Sequence, residues 1–203
     1  MAFNRKDGYY RQAKREGKRS RAIYKIEELD RRFKLFRKGQ KILELGAAPG
    51  GWSEYIAGRI GPSGRLLGLD LLEIRGLPSP PCLTLVADIL APTTGDQIDQ
   101  LLPPPLAGAV SDLAPNLTGI RATDQANSIA IMEAALKLVE PRLKAGGFFV
   151  CKLFQGPELK AFQRRVGARF RQTTLAKPRS SRKSSTEIYL VARDYIGGST
   201  SDQ

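Results

Sequence analysis

The run 146-GGFFVCKLFQG-156 sets Lys152 inside a short apolar segment of the kind that forms a strand buried on both faces. A lysine there needs a partner, because an unpaired buried ammonium is strongly disfavoured. The 203 residues contain no histidine, which removes serine–histidine triads, histidine-based zinc sites and imidazole acid/base work. Chemistry therefore falls to Lys, Asp, Glu, Tyr or a cofactor. Asp112 ends the strand that precedes 112-DLAPN-116, and Lys152 ends its neighbour, so both project toward one rim. Lys25 lies beside the apolar stripe of 19-RSRAIYKIEELDRRFK-34, and Glu187 falls in the middle of the closing strand 184-SSTEIYLVA-192. Without histidine, a lysine is the natural proton acceptor, since desolvation and a second cation favour the neutral amine. Asp112 and Glu187 push the other way. The plainer alternatives are a snorkelling lysine at a strand end and an exposed strand glutamate.

The segment 42-ILELGAAPGGWSEYI-56 reads as strand, glycine turn and helix start. Gly46, Gly50 and Gly51 permit tight turning and close approach of a ligand to the backbone. The spacing is not that of a dinucleotide G-x-G-x-x-G, and no phosphate-binding lysine follows. Asp70 and Asp88 stand at the ends of the next two strands, placed for a ribose and an adenine amino group respectively. Ribose and adenine without a phosphate clamp point to S-adenosyl-L-methionine rather than NAD or ATP. Taken singly, each acid reads equally as a turn cap. Trp52 follows the turn and is either core packing or a cofactor contact.

These residues need a scaffold of alternating strands and helices. Strands are predicted at 41–47, 65–71, 82–88, 107–113 and 147–154, and helices near 51–60, 95–102, 123–141 and 157–168. The runs 169–178 and 184–195 form a terminal hairpin. The fold class is α/β and Rossmann-like: a mostly parallel seven-stranded sheet, helices on both faces, and an antiparallel terminal strand. The expected divisions are a basic arm and packed helix over 1–40, the main domain over 41–195, and a disordered tail over 196–203.

The net charge of +13 is segregated. Residues 1–41 carry +10 and residues 164–183 carry +8, which leaves −5 elsewhere. Two basic blocks on a mildly acidic body suit a polyanion such as RNA. Arg5, Lys6, Arg11, Lys14, Arg15, Lys18, Arg19 and Arg21 of the arm, with the loop 177-KPRSSRKSS-185, would flank the rim and contact phosphates. Tyr9 and Tyr10 suit either base stacking or packing. Cys82 and Cys151 sit in apolar runs and read as buried thiols of a reducing compartment. With no apolar run of spanning length and no signal-like start, the expected location is cytoplasmic, with no membrane association.

In order along the chain, 19-RSRAIYKIEELD-30, 45-LGAAPGGW-52, 111-SDLAPN-116, 151-CKLFQG-156 and 180-SSRKSSTEIYLVA-192 resemble the RrmJ/FtsJ family of RNA ribose 2′-O-methyltransferases. The likeness covers residues 9 to 195. It implies a Lys25–Asp112–Lys152–Glu187 catalytic set with Lys152 as proton acceptor, and no metal. It implies S-adenosyl-L-methionine held by Gly50, Gly51, Trp52, Asp70, Asp88 and Asp112. The short, single-domain form further implies a monomer that methylates a uridine ribose in 23S ribosomal RNA of the assembled large subunit. A transfer RNA substrate, or an inactive RNA-binding ribosome-assembly factor, is the alternative; a small-molecule methyltransferase leaves both basic blocks unexplained.

Overall fold

The computed structural model describes residues 7–182 and 185–197. Arg5 and Lys6 of the expected arm, residues 183–184 of the basic loop and residues 198–203 of the expected tail lie outside these. The elements follow in the order α1 (Gly8–Arg15), α2 (Ile23–Phe33), β1 (Lys41–Leu45), α3 (Gly51–Ile60), β2 (Arg65–Asp70), β3 (Cys82–Val86), α4 (Thr94–Leu101), β4 (Leu106–Ser111), α5 (Arg121–Val139), β5 (Leu143–Phe154), α6 (Leu159–Gly167), β6 (Phe170–Ala176) and β7 (Glu187–Tyr195).

The seven strands form one sheet in the order β3-β2-β1-β4-β5-β7-β6. All pairs are parallel except those made by β7, which runs antiparallel to both β5 and β6. The antiparallel strand thus lies inside the sheet, and β6 takes the edge. Chain direction across the sheet reverses between β1 and β4, so the carboxyl ends of these two strands open a crevice.

The pleat sorts side chains between two cores. Leu43, Leu45, Phe149, Cys151 and Leu153 face α4, α5 and α6. Ile42, Val110, Phe148, Val150, Tyr189 and Val191 face α2 and α3, whose Ile26, Leu29, Trp52 and Ile56 close that layer. By alternation Glu44 and Lys152 belong to this second face. An acid and an ammonium are thereby delivered under α2 and α3.

Several boundaries differ from the sequence reading. β5 begins at Leu143 rather than at Gly147, pairing with Leu106 before the register shifts between Leu106 and Gly108. Glu187 is the first residue of β7, not its middle. The arm contains a helix, α1, that the sequence reading did not anticipate. The Asp7 carboxylate caps it by accepting the Tyr10 N–H at 2.9 Å, and Ala13 is its buried contact. Asp7 also pairs with Arg21 and, at 3.1 Å, with Arg182. One acid thus ties the first basic block to the second.

Candidate active site

The loop between β1 and α3 is shaped by glycine. Gly46 has φ +77°, and a Cβ there would lie 2.9 Å from the Leu113 backbone nitrogen. Only glycine lets this loop meet the segment leaving β4, where the Asp112 N–H donates to Leu45 O at 3.0 Å. Gly50, at φ +98°, precedes the first turn of α3. Gly51 admits the Ser20 side chain, which would collide with any Cβ there. The segment before α2 is held over the loop by Arg19, whose guanidinium donates to Arg75 O at 2.8 Å and also to Gly76 O.

Beneath Ser20, Arg21 and Ala22 lies a cavity of about 150 Å³, walled by Glu44, Gly46, Ala47, Ala48, Pro49, Gly51, Trp52 and Asp112. Trp52 is 2% exposed and donates its indole N–H to Ala22 O at 2.9 Å. It is therefore both core and cavity wall. Glu44 is 1% exposed and accepts the Ser53 hydroxyl at 2.6 Å; burial pushes its carboxyl up to about 8, with Asp112 and Asp70 adding to the rise.

Asp70 and Asp88 stand beyond the cavity on the strand-end rim. Asp70 accepts the Ala48 and Leu72 N–H groups, one on each oxygen, at 2.9 and 3.0 Å. Asp88 is exposed and accepts the Leu90 N–H at 2.9 Å. Both act as turn caps. Each carboxylate oxygen still has a second lone pair for a ligand hydroxyl or amine. Leu71, Leu72, Leu90, Leu117 and Ile120 expose apolar surface along the same rim.

The four other singled-out residues come together on the α2 side of the sheet. The Lys152 ammonium donates to Asp112 O at 2.5 Å and pairs with Asp112 Oδ1 at 3.0 Å. The Lys25 ammonium pairs with Glu187 Oε1 at 2.6 Å. Between the pairs stands Tyr189, the direct partner of Lys152 across β5 and β7. Its hydroxyl donates to Asp112 Oδ1 at 2.9 Å, and Lys25 lies 5.8 Å from its ring centroid. Burial is the main reason the Tyr189 phenol is held protonated well above its ordinary range.

Two participants escaped the sequence reading. Glu44 interrupts the apolar run 41-KILEL-45 just as Lys152 interrupts its own, so the same signal was present. Tyr189 lies two residues after Glu187, hence on the same strand face. Tyr9, left open above, packs against Tyr24 with ring centroids 5.6 Å apart, whereas Tyr10 is exposed.

A seven-stranded sheet with one internal antiparallel strand, a glycine-turned loop after β1 and acids at the ends of β2 to β4 defines a Rossmann-like α/β fold, which a solved methyltransferase at 14% identity shares with a TM-score of 0.58. Within that class the chain belongs to the FtsJ-like methyltransferase family, whose model matches residues 18–195. Members of this family use S-adenosylmethionine. Proteins named ribosomal RNA large subunit methyltransferase E are similar over nearly the whole chain. That of Nitratidesulfovibrio vulgaris is 41% identical, covering 97% of this chain and 98% of its own. That of Myxococcus xanthus is 38% identical, covering 93% and 89%. A solved structure described as a ribosomal RNA methyltransferase, from Plasmodium falciparum, superposes with a TM-score of 0.78 at 25% identity, covering 88% of this chain and 99% of that one.

The donor set fits the cofactor. The described cavity wall carries two carboxyl groups and, as its one cation, Arg21, and the rim supplies acids and apolar surface. The buried Ser20 hydroxyl at the cavity mouth has no hydrogen-bond partner among the described residues. A cationic, nucleoside-bearing ligand meets these demands.

Proposed function

We propose that this chain methylates the 2′-hydroxyl of a uridine ribose in 23S ribosomal RNA, acting on the assembled large subunit. The observation that carries the reading is the convergence of Lys25, Asp112, Lys152 and Glu187 as two ion pairs around Tyr189, beside the cofactor cavity. S-adenosylmethionine, when bound, supplies an electrophilic methyl group. Gly51 and Trp52 wall its seat, Gly50 turns the chain into α3 beside it, Asp70 and Asp88 take its nucleoside, and Asp112 lies between the cavity and Lys152.

A ribose hydroxyl is a weak nucleophile, so the site must orient it and receive its proton. Orientation of this kind is worth about 7–11 kcal/mol, and a positioned proton acceptor contributes roughly 10²–10⁴-fold. Lys152 first releases one proton from Nζ to solvent, then accepts the hydroxyl proton there, and the ammonium so restored is held by the Asp112 carboxylate and carbonyl. Lys25 and Glu187 fix the far side of the pocket and position the sugar. The arm and the loop over 177–182 lie together through Asp7 and offer Arg11, Lys14, Arg15, Arg19, Lys177 and Arg179 as exposed phosphate contacts. The names of the relatives support ribosomal RNA as the substrate.

The test is transfer of labelled methyl from S-adenosylmethionine to undermethylated large subunits, free ribosomal RNA and transfer RNA. Label is expected in the subunits. Label in transfer RNA alone would replace the substrate, and cofactor binding without transfer to any of them would leave an RNA-binding assembly factor.

A further inference from the structure

A second cavity, of about 320 Å³, opens at the opposite end of the sheet, where β1 and β4 begin. Four cations from three segments line it: Lys34 and Arg37 in the connection from α2 to β1, Lys144 at the start of β5 and Arg193 in β7. Asp194 is the single acid of the lining, so the wall carries +3. None of the four cations forms an ion pair with a carboxylate among the described residues.

The cations do not all serve α2. Arg193 donates to Phe33 O at 3.4 Å and lies 5.5 Å from the Phe33 ring centroid, which is accounted for by the helix's carboxyl end. Arg37 and Lys144 have no such structural duty, and both are exposed. The backbone supplies an independent sign. Lys34 at φ +55° and Asp194 at φ +59° are the two non-glycine residues with left-handed φ among the described residues, and both line this cavity. A left-handed backbone at non-glycine residues is costly and gathers where a ligand must be met. Glycine is the usual residue at a helix end such as that of Lys34; a lysine in its place brings a positive charge to the wall.

We propose that this cavity is a phosphate-binding site, used for a backbone phosphodiester of the RNA substrate remote from the reacting ribose. Lys25 and Lys34 lie at opposite ends of α2, about 14 Å apart at 1.5 Å per residue. An RNA that enters the active rim can therefore run along α2 and be anchored a second time. The RNA part rests on the function proposed above; the affinity for phosphate does not.

Both parts are tested with the full chain in buffer free of phosphate and sulfate. Inorganic phosphate is titrated while the amide resonances of residues 34–37, 144–146 and 193–194 are followed. RNA affinity is then measured across salt concentrations for the parent and for Arg37→Ala/Lys144→Ala. Saturable shifts at these amides in the parent, lost in the variant, are expected. The slope of log K against log salt is expected to shrink by about 0.7–0.9, one phosphate contact, with cofactor affinity unchanged. Phosphate shifts with an unchanged slope would assign the site to free phosphate and overturn the RNA anchor. Absence of both responses would overturn the site itself. Failure of the parent to bind RNA would count against the proposed function and leave the phosphate titration to decide the site.

Discussion

Lys25 and Glu187 offer a quantitative test of how the proposed catalytic pocket is built. Their side chains are 11% and 13% exposed and their charges 2.6 Å apart, close to the buried limit. At an effective dielectric of about 20 the attraction is roughly 6 kcal/mol, offset by several kcal/mol of desolvation per ion. Removing one partner of a buried pair costs about 3–5 kcal/mol, because the other charge is stranded. Here neither is wholly stranded. Glu187 keeps the Ser181 hydroxyl at 3.3 Å and the field of Arg21, and Lys25 keeps the Tyr189 ring. Lys25→Met is therefore expected to cost about 3 kcal/mol, the low end of that range, and Glu187→Gln about 2 kcal/mol, just below it. The double variant should cost about 3 kcal/mol rather than 5, a coupling of roughly 2 kcal/mol. Urea unfolding with unchanged m-values measures all three. A coupling under about 0.5 kcal/mol would place the pair with exposed salt bridges and refute the claim that the pocket is desolvated.

Other perturbations probe the cofactor side. Glu44 has its carboxyl pushed from 4.5 to about 8, so its contribution to stability is complete below pH 4.5 and is lost as pH rises through about 8. At about 1.4 kcal/mol per pH unit the loss is at most about 5 kcal/mol, and Glu44→Gln should flatten the decline measured by unfolding between pH 5 and 8.5. An equally steep decline in the variant would remove Glu44 as its source. Gly46→Ala would force a side chain into left-handed backbone and against the Leu113 nitrogen. It is expected to cost about 2 kcal/mol or more and to weaken S-adenosylmethionine binding in calorimetry; normal affinity would show that the close approach is dispensable.

The apolar patterning of the strands and the charge interruptions within them carried most of this site. Lys152 and Asp112 were legible because an ion in, or at the end of, an apolar strand needs a partner, and parallel neighbours place such ends on one rim. The α3 start at Gly51 was legible from the glycine turn. The pairing of Lys25 with Glu187 was not. It depends on where α2 docks across the sheet and on β7 inserting between β5 and β6, both set by long-range packing. The role of Asp7 was hidden for the same reason, since its partners Arg21 and Arg182 are distant in sequence. Asp70 and Asp88 show the limit of spacing arguments: both cap turns, and spacing alone does not separate a turn cap from a ligand contact.

The most direct test of the central claim uses the chemistry of the product. A 2′-O-methyl group removes the hydroxyl that attacks the adjacent phosphodiester in alkali. RNA labelled by the parent enzyme and digested with alkali is expected to retain its label in alkali-resistant dinucleotides, with Lys152→Ala lowering the single-turnover rate by roughly 10²-fold or more. Label in mononucleotides, or near-parental turnover by Lys152→Ala, would contradict ribose methylation at this site or the part assigned to its lysine.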